Sequence, residues 1–162
     1  TNASVTSVTG SGTTSMMGLV ASKDGWRITL PGPVTVSGVN YSAERSVVNP
    51  TLIAGTIFLP TFVPTNNFCA SDGVSYLYVL FYQTGTAATY PVVGTSPSGA
   101  NTNITTKVDL GVGLASSGSM HVGQENGGGK ICNQMSGGNA VCTNSALNDF
   151  YSKFVSWVHQ RD

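Results

Sequence analysis

The sequence predicts an all-β protein of antiparallel sheets, and three observations carry that expectation. Runs of β-branched and aromatic residues recur along the chain, some alternating with polar residues and some apolar throughout. Turn signals ("LPGP", "QTGT", "SPSG", "NGGG", "SGGN") separate those runs at short intervals. Charge is scarce: Asp, Glu, Lys and Arg make up 9% of the 162 residues, against roughly 25% in an ordinary soluble domain. Gly, Ser, Thr and Asn fill the surface in their place. A sandwich, a barrel or a propeller fits this pattern, and the length suits one domain or part of a larger one.

The elements follow in order. Thr1 to Thr14 is rich in Ser, Thr and Gly with little to bury, so residues 1–22 are expected to be a flexible lead into a β domain over residues 23–162. "WRITLP" alternates, with Trp26, Ile28 and Leu30 on one face and Arg27 and Thr29 on the other. "TLIAGTIFLPTFVP", Thr51 to Pro64, is apolar on both faces and contains a tight turn at Ala54-Gly55. "SYLYVLFY" sets Leu77, Val79 and Phe81 against Tyr76, Tyr78, Leu80 and Tyr82. In "TKVDLGV", Thr106, Val108, Leu110 and Val112 are expected to face inward. "SMHVG" reads as a further strand and "GQENGGGK", Gly123 to Lys130, as a flexible loop. The expected core is Trp26, Leu52, Ile57, Leu59, Leu77, Val79, Phe81, Val108 and Leu110. Near the end, Leu147, Phe150, Tyr151, Phe154, Val155 and Val158 fall at helical spacing behind a capping Ser145, while "KFVSWVH" also suits a strand.

Three cysteines are present, Cys69, Cys132 and Cys142. The last two flank "NQMSGGNAV", whose turn would fold a hairpin and bring them within bridging distance. A Cys132–Cys142 disulfide implies an oxidising compartment, with Cys69 free or paired outside this chain; the alternative is three unpaired thiols. The longest apolar runs fall short of the roughly 20 residues a membrane span needs. The chain opens "TNASVTSVTG" without a leader-like segment, so either a leader has been removed or the chain is a downstream piece.

The chemistry that would mark an enzyme is missing from the pattern. No G-x-S-x-G, Walker or HExxH motif occurs, and "GVGLAS" from Gly111 has Ser116 where a dinucleotide fingerprint needs its third glycine. His121 and His159 read as strand residues with local hydrogen bonds. Asp24, Glu44, Asp72, Asp109 and Glu125 lie on separate turns, with no spacing that pairs two of them as a glycosidase requires. Asn66, Asn67, Ser71 and Asp72 supply oxygens in one loop, but with one carboxylate the loop reads as a plain turn rather than a calcium site. No cofactor and no metal is expected. Seven Lys+Arg balance seven Asp+Glu, so no basic footprint for nucleic acid exists.

One ordered string of residues does resemble a family. "DGW.ITLP" followed by "ERSVVNPTLIAGTIFLPTFVPTNNFCASDGVSYLYVLFYQTG" is similar to the C-terminal region of PilY-type proteins, the type IV pilus biogenesis factors and tip-associated adhesins. The matching positions include Gly25, Trp26, Leu30, Pro31, Glu44, Arg45, Pro50, Leu52, Gly55, Pro64, Cys69, Gly73, Leu77, Tyr82, Thr84 and Gly85. "VDLGVGLASSGSMHVG" and the closing "FVSWVHQRD" resemble the family further on, with a private insert between Gln124 and Asn148. Asp72 and Phe81 depart from the family, which has Gly and Asp there, and the acidic calcium loop of some members has no counterpart. The resemblance implies a modified β-propeller, of which this chain would supply two or three blades, and a terminal strand in place of the helix. Failing that, the fold would be a β-sandwich.

Two functions follow as expectations. The resemblance implies a non-enzymatic extracellular module for adhesion or pilus assembly, exported through the periplasm to the bacterial surface, with Tyr41, Tyr90 and the loop at Gly123–Lys130 as contact residues. The other expectation is a structural subunit of a filament or partner-completed complex, since a partial propeller leaves faces and edges for another chain. Its partners would be pilus subunits, the rest of its own precursor or copies of itself. A quinone-dependent propeller enzyme rests on shared architecture alone.

Overall fold

The computed structural model describes residues 5–7, 13–66, 73–87, 92–93, 107–122 and 129–145. In chain order the elements are β1 (Val5–Ser7), α1 (Thr13–Val20), β2 (Gly25–Arg27), β3 (Val34–Val36), β4 (Val39–Tyr41), β5 (Thr51–Ile53), β6 (Thr56–Pro64), β7 (Gly73–Phe81), β8 (Lys107–Val112), β9 (Ser119–Val122), β10 (Gly129–Gln134) and β11 (Ala140–Ser145). The chain is all-β and, apart from a parallel β1–β2 pair, its strand pairs among the described residues are antiparallel.

The main sheet is a four-stranded meander in the order β5-β6-β7-β8. Ala54 and Gly55 both have positive φ (46° and 76°) and link β5 to β6; that pair of conformations is the hairpin turn whose twist matches its strands. β6 and β7 then pair along their full length, from Thr56↔Phe81 to Pro64↔Gly73. Cys69 belongs to the connection between these two strands and lies outside the described residues. On its outer side β6 changes partner: β5 covers Thr56–Phe58, and bridges Arg45↔Phe62 and Tyr41↔Thr65 cover the far end. Pro60, with no N–H to donate, falls in the gap between them.

The second sheet is three-stranded, β11-β10-β9, and packs on one face of the first. Phe58, Leu77, Val79 and Leu110 meet Ile131, Met135, Ala115, Val92 and Val93, all at most 4% exposed. Each of these side chains except that of Ala115 contributes roughly 1.5–3 kcal/mol by leaving water. The sheets are joined through one bent stretch. After β8, Gly113 N donates to Gly73 O (2.9 Å), still on the first sheet. Ala115 then bridges Met135 beside β10, and β9 runs on antiparallel to β10. Buried Ser75 holds the corner, donating to Gly113 O (2.6 Å) and accepting from Ala115 N (3.1 Å). A strand that switches sheets at a bend is how two packed sheets make a corner.

Several expectations change. β6 and β7 are covered unequally: the face carrying Phe58 and Leu77 is buried from Thr56 to Pro60 and from Gly73 to Val79, whereas on the other Thr61, Val63 and Leu80 are buried and the rest is half-buried. Because Phe58 pairs with Val79 and Pro60 with Leu77, Ile57 and Leu59 must lie on the second, half-buried face. Leu52, on the edge strand, is 61% exposed. Trp26, Phe81 and Val108 are half-buried. In β8 an extra residue breaks the alternation: Tyr76 faces Asp109 but Ser75 faces Gly111. Leu110 is therefore buried in a bulge while Val112, expected inward, is 69% exposed. Gly111 takes φ 87° there and donates its N–H to Asp109 Oδ1 (2.7 Å). Gly129 and Lys130 open β10 instead of ending a loop. Within the Ser/Thr-rich lead, Val5–Ser7 is a strand and Thr13–Val20 a helix, anchored by Met16, which is 0% exposed. The helix-or-strand segment at residues 147–158 lies outside the described residues.

Candidate functional site

The second face of the main sheet carries the polar chemistry. Thr61↔Tyr76, Leu59↔Tyr78 and Val63↔Val74 sit side by side on it, and the register Tyr78↔Lys107 brings the ammonium of β8 onto the same face. Lys107 Nζ lies 3.8 Å from the centre of the Tyr76 ring and 5.1 Å from that of Tyr78, a cation over two aromatic faces.

Glu44 comes down on this group from the stretch between β4 and β5. The backbone there is stitched to β6: Ser42 N donates to Pro64 O (2.8 Å), and Arg45 and Phe62 exchange bonds of 3.0 and 2.8 Å. Glu44 N itself donates to Pro31 O (2.9 Å). Pinned on both sides, the carboxylate has 2% of its side chain exposed and accepts from Lys107 Nζ at 2.8 Å. Its other oxygen accepts from Thr61 Oγ1 at 2.5 Å. A carboxylate this deep needs such partners, since an uncompensated buried charge costs several kcal/mol. Burial lifts the Tyr78 phenol above the usual tyrosine range, with the Glu44 charge adding to it and Lys107 opposing. For Lys107 burial pulls downward, but its hydrogen bonds to Glu44 and Tyr78 and their charges outweigh it, so its pKa is raised.

Above this floor stands the β3–β4 hairpin. Ser37 (φ 49°) and Gly38 (φ 80°) form a tight turn like that at Ala54-Gly55. The register Val34↔Tyr41 and Val36↔Val39 puts these four side chains on one face and Thr35 and Asn40 on the other. Thr35 Oγ1 donates to Asn40 Oδ1 (2.7 Å) across the polar face. The apolar face overhangs the sheet and encloses a cleft of about 220 Å³ walled by Pro31, Val34, Val36, Tyr41, Val63, Val74 and Tyr76, with Glu44 and Lys107 at its base.

A second, more open cleft of about 650 Å³ lies between α1 and the end of β7. Trp26 forms part of it; its indole N–H donates to Tyr82 O (2.8 Å) and its ring rests on Gly85, where an added Cβ would approach it to 2.3 Å.

The residues singled out in the sequence fall as follows. Cys132 and Cys142 face each other across β10 and β11 and form a disulfide with Cα atoms 4.0 Å apart. Tyr41 lines the 220 Å³ cleft. His121 is exposed, 3.2 Å from Ser119 Oγ. Asp109 serves the β8 bulge, and Asp24 lines the open cleft. Tyr90, His159, Asp72, Glu125 and residues 123–128 lie outside the described residues. Among the described residues no three His, Cys, Asp or Glu cluster as a metal site would require. Lys107 is the residue that sequence reasoning missed. It stands 63 positions from Glu44, and nothing local announces the pair.

Comparison with known proteins gives one relative. Over 68 residues, 41% of this chain, the sequence is 41% identical to a type IV pilus biogenesis factor PilY1 homolog of Xylella fastidiosa strain Temecula1. The chain spans 4% of that protein's length, and the match covers less of the chain than the resemblance expected from the sequence. No family model matches the chain, and no solved structure matches it.

Proposed function

We propose that this chain is a non-enzymatic extracellular module that works in type IV pilus assembly or in adhesion at the pilus. The observation that carries the reading is the 41% identity over 68 residues to the PilY1 homolog. The Cys132–Cys142 disulfide agrees with an oxidising periplasmic or extracellular setting. Among the described residues no helix is long and apolar enough to cross a membrane. In this reading residues 23–162 form the working β domain, and the four-stranded meander is the unit that either a propeller blade or a sandwich would use. Deleting the gene and scoring piliation and surface attachment tests the proposal; normal pili and normal attachment would end it.

A second reading, a structural subunit completed by a partner chain, is favoured by the exposed apolar side chains of the β3–β4 hairpin and of Val112. Light scattering at high concentration separates the two. A chain that stays monomeric on its own and with pilus subunits is not such a subunit.

A further inference from the structure

We propose that the cleft under the β3–β4 hairpin receives an uncharged, extended segment of a partner protein, which pairs with the outer edge of β3 and inserts one aliphatic side chain. This rests on the reading of the chain as a protein-binding module and names the chemistry of what it binds.

Three independent features of the site agree on that occupant. The first is size. A cleft of about 220 Å³ is below the roughly 300–1,000 Å³ of pockets that bury a drug-sized ligand, so it suits a single large side chain. The apolar surface nonetheless continues beyond it: Val34 and Val36, which wall the cleft, remain 51% and 53% exposed, and Val39 beside them, outside the lining, is 43% exposed. An occupant that fills the cleft and covers these valines must be longer than one side chain.

The second is backbone. Val36↔Val39 flank a two-residue turn and form a bonded pair, as do Val34↔Tyr41, so Thr35 between them turns its N–H and C=O away from β4. On the opposite edge the equivalent Asn40 carbonyl is used, accepting from Asn66 N at 2.9 Å. On the β3 edge no described residue answers Thr35. An extended peptide supplies the missing acceptor and donor, as strand addition does elsewhere. Pro33 has no N–H, so pairing stops after one amide pair, which makes the contact short and the register unambiguous.

The third is charge. Glu44 and Lys107 at the base neutralise each other at 2.8 Å, and the whole chain carries equal numbers of basic and acidic side chains. A charged occupant would lose its hydration without gaining a partner. An aliphatic side chain between neutral residues loses nothing.

The test is an NMR titration of the methyl- and amide-labelled full chain with the peptide acetyl-Thr-Val-Leu-Val-Thr-amide. Saturable shifts are expected at the methyls of Val34, Val36, Val63 and Val74 and at the Thr35 amide. Val36→Asp should weaken binding tenfold or more while the methyls of Leu77 and Val79 keep their positions, since Val36 is half exposed. Thr35→Pro removes the outward N–H together with the Thr35 Oγ1–Asn40 Oδ1 bond, which Thr35→Val removes alone; Thr35→Pro and N-methylation of the peptide's central residue should each weaken binding about tenfold, and Thr35→Val should not. No saturable shift, or equal binding of N-methylated peptide or of acetyl-leucine methylamide, would overturn the proposal; the last result would mean a small apolar ligand. The outcome is separable from the pilus reading: peptide binding with normal piliation in the deletion strain sinks only that reading, and lost piliation without peptide binding sinks only this one.

Discussion

The two faces of the β5–β8 sheet are built from almost equally apolar sequence, yet they do different work. One face is dry: Phe58, Leu77 and Val79 are at most 1% exposed and close against the chain's own second sheet. The other carries Ile57, Leu59, Thr61, Val63, Val74, Tyr76 and Tyr78, most of them half-buried, over which a hairpin and a buried ion pair leave a cleft. Hydrophobic content alone does not distinguish a face that stabilises from one that receives. The difference lies in where polar groups are placed and whether an element of the same chain covers them.

The largest expected effect is on the dry face. Phe58→Ala should cost roughly 3–5 kcal/mol in denaturant unfolding, because a large, fully buried ring leaves a cavity that two packed sheets cannot close. Leu52→Ser, on the edge strand and 61% exposed, should stay within about 0.5 kcal/mol. A small loss at Phe58 would mean that the two sheets do not pack as described.

The cleft face should break differently, through its charges. Lys107→Met strands the Glu44 carboxylate beside the Thr61 hydroxyl without its cation, and removing one member of a buried pair costs roughly 3 kcal/mol. The double replacement Glu44→Gln with Lys107→Met should recover most of that loss, since it leaves no uncompensated charge. Additive losses in the double-mutant cycle would show that the pair is not coupled and that the cleft floor is held by packing alone.

How much of this was legible in the sequence depends on how local the signal is. The β6 and β7 strands, the Ala54-Gly55 turn and the hairpin that joins Cys132 to Cys142 all rest on neighbouring residues and could be read. The facing of β6 could not: with Ile57, Phe58 and Leu59 consecutive, period two has no contrast, and the β6–β7 register decides. The β8 bulge did leave a trace in Asp-Leu-Gly, since Asp109 is placed to accept from Gly111 N, but clean alternation concealed it. The Glu44–Lys107 pair left none, because the long loop from β4 to β5 and the β7–β8 register bring it together.

A third test moves to the second sheet. The Cys132–Cys142 link closes a ring of sequence separation 10, for which chain entropy gives something under ~3 kcal/mol. Because β10 and β11 are already paired from Gly129↔Ser145 to Gln134↔Ala140, reduction should lower stability by about 2 kcal/mol and leave the sheet formed. Thiol labelling of the denatured, unreduced chain should modify at most Cys69. Labelling of three thiols would remove the bridge and the argument for an oxidising compartment.

The smallest effect expected is alkaline, and it belongs to the cleft face alone. Tyr78 and Lys107 both have raised pKa values in the folded chain, so near and above pH ~10 the folded state holds more protons than the unfolded one. Stability is then fully present below that range and falls as pH rises through the raised values. Both groups act in the same direction. The Lys107 side chain is 32% exposed, and screening keeps the effect small. Unfolding midpoints measured from pH 8 to 11 should decline more steeply in the native chain than in the Glu44→Gln, Lys107→Met double variant, which retains Tyr78 but loses the lysine. Among the described residues the Phe58 face offers no group that titrates there, so Leu52→Ser should track the native slope. Parallel slopes in the native and double-variant chains would show that the cation over the two tyrosines contributes nothing the fold can feel.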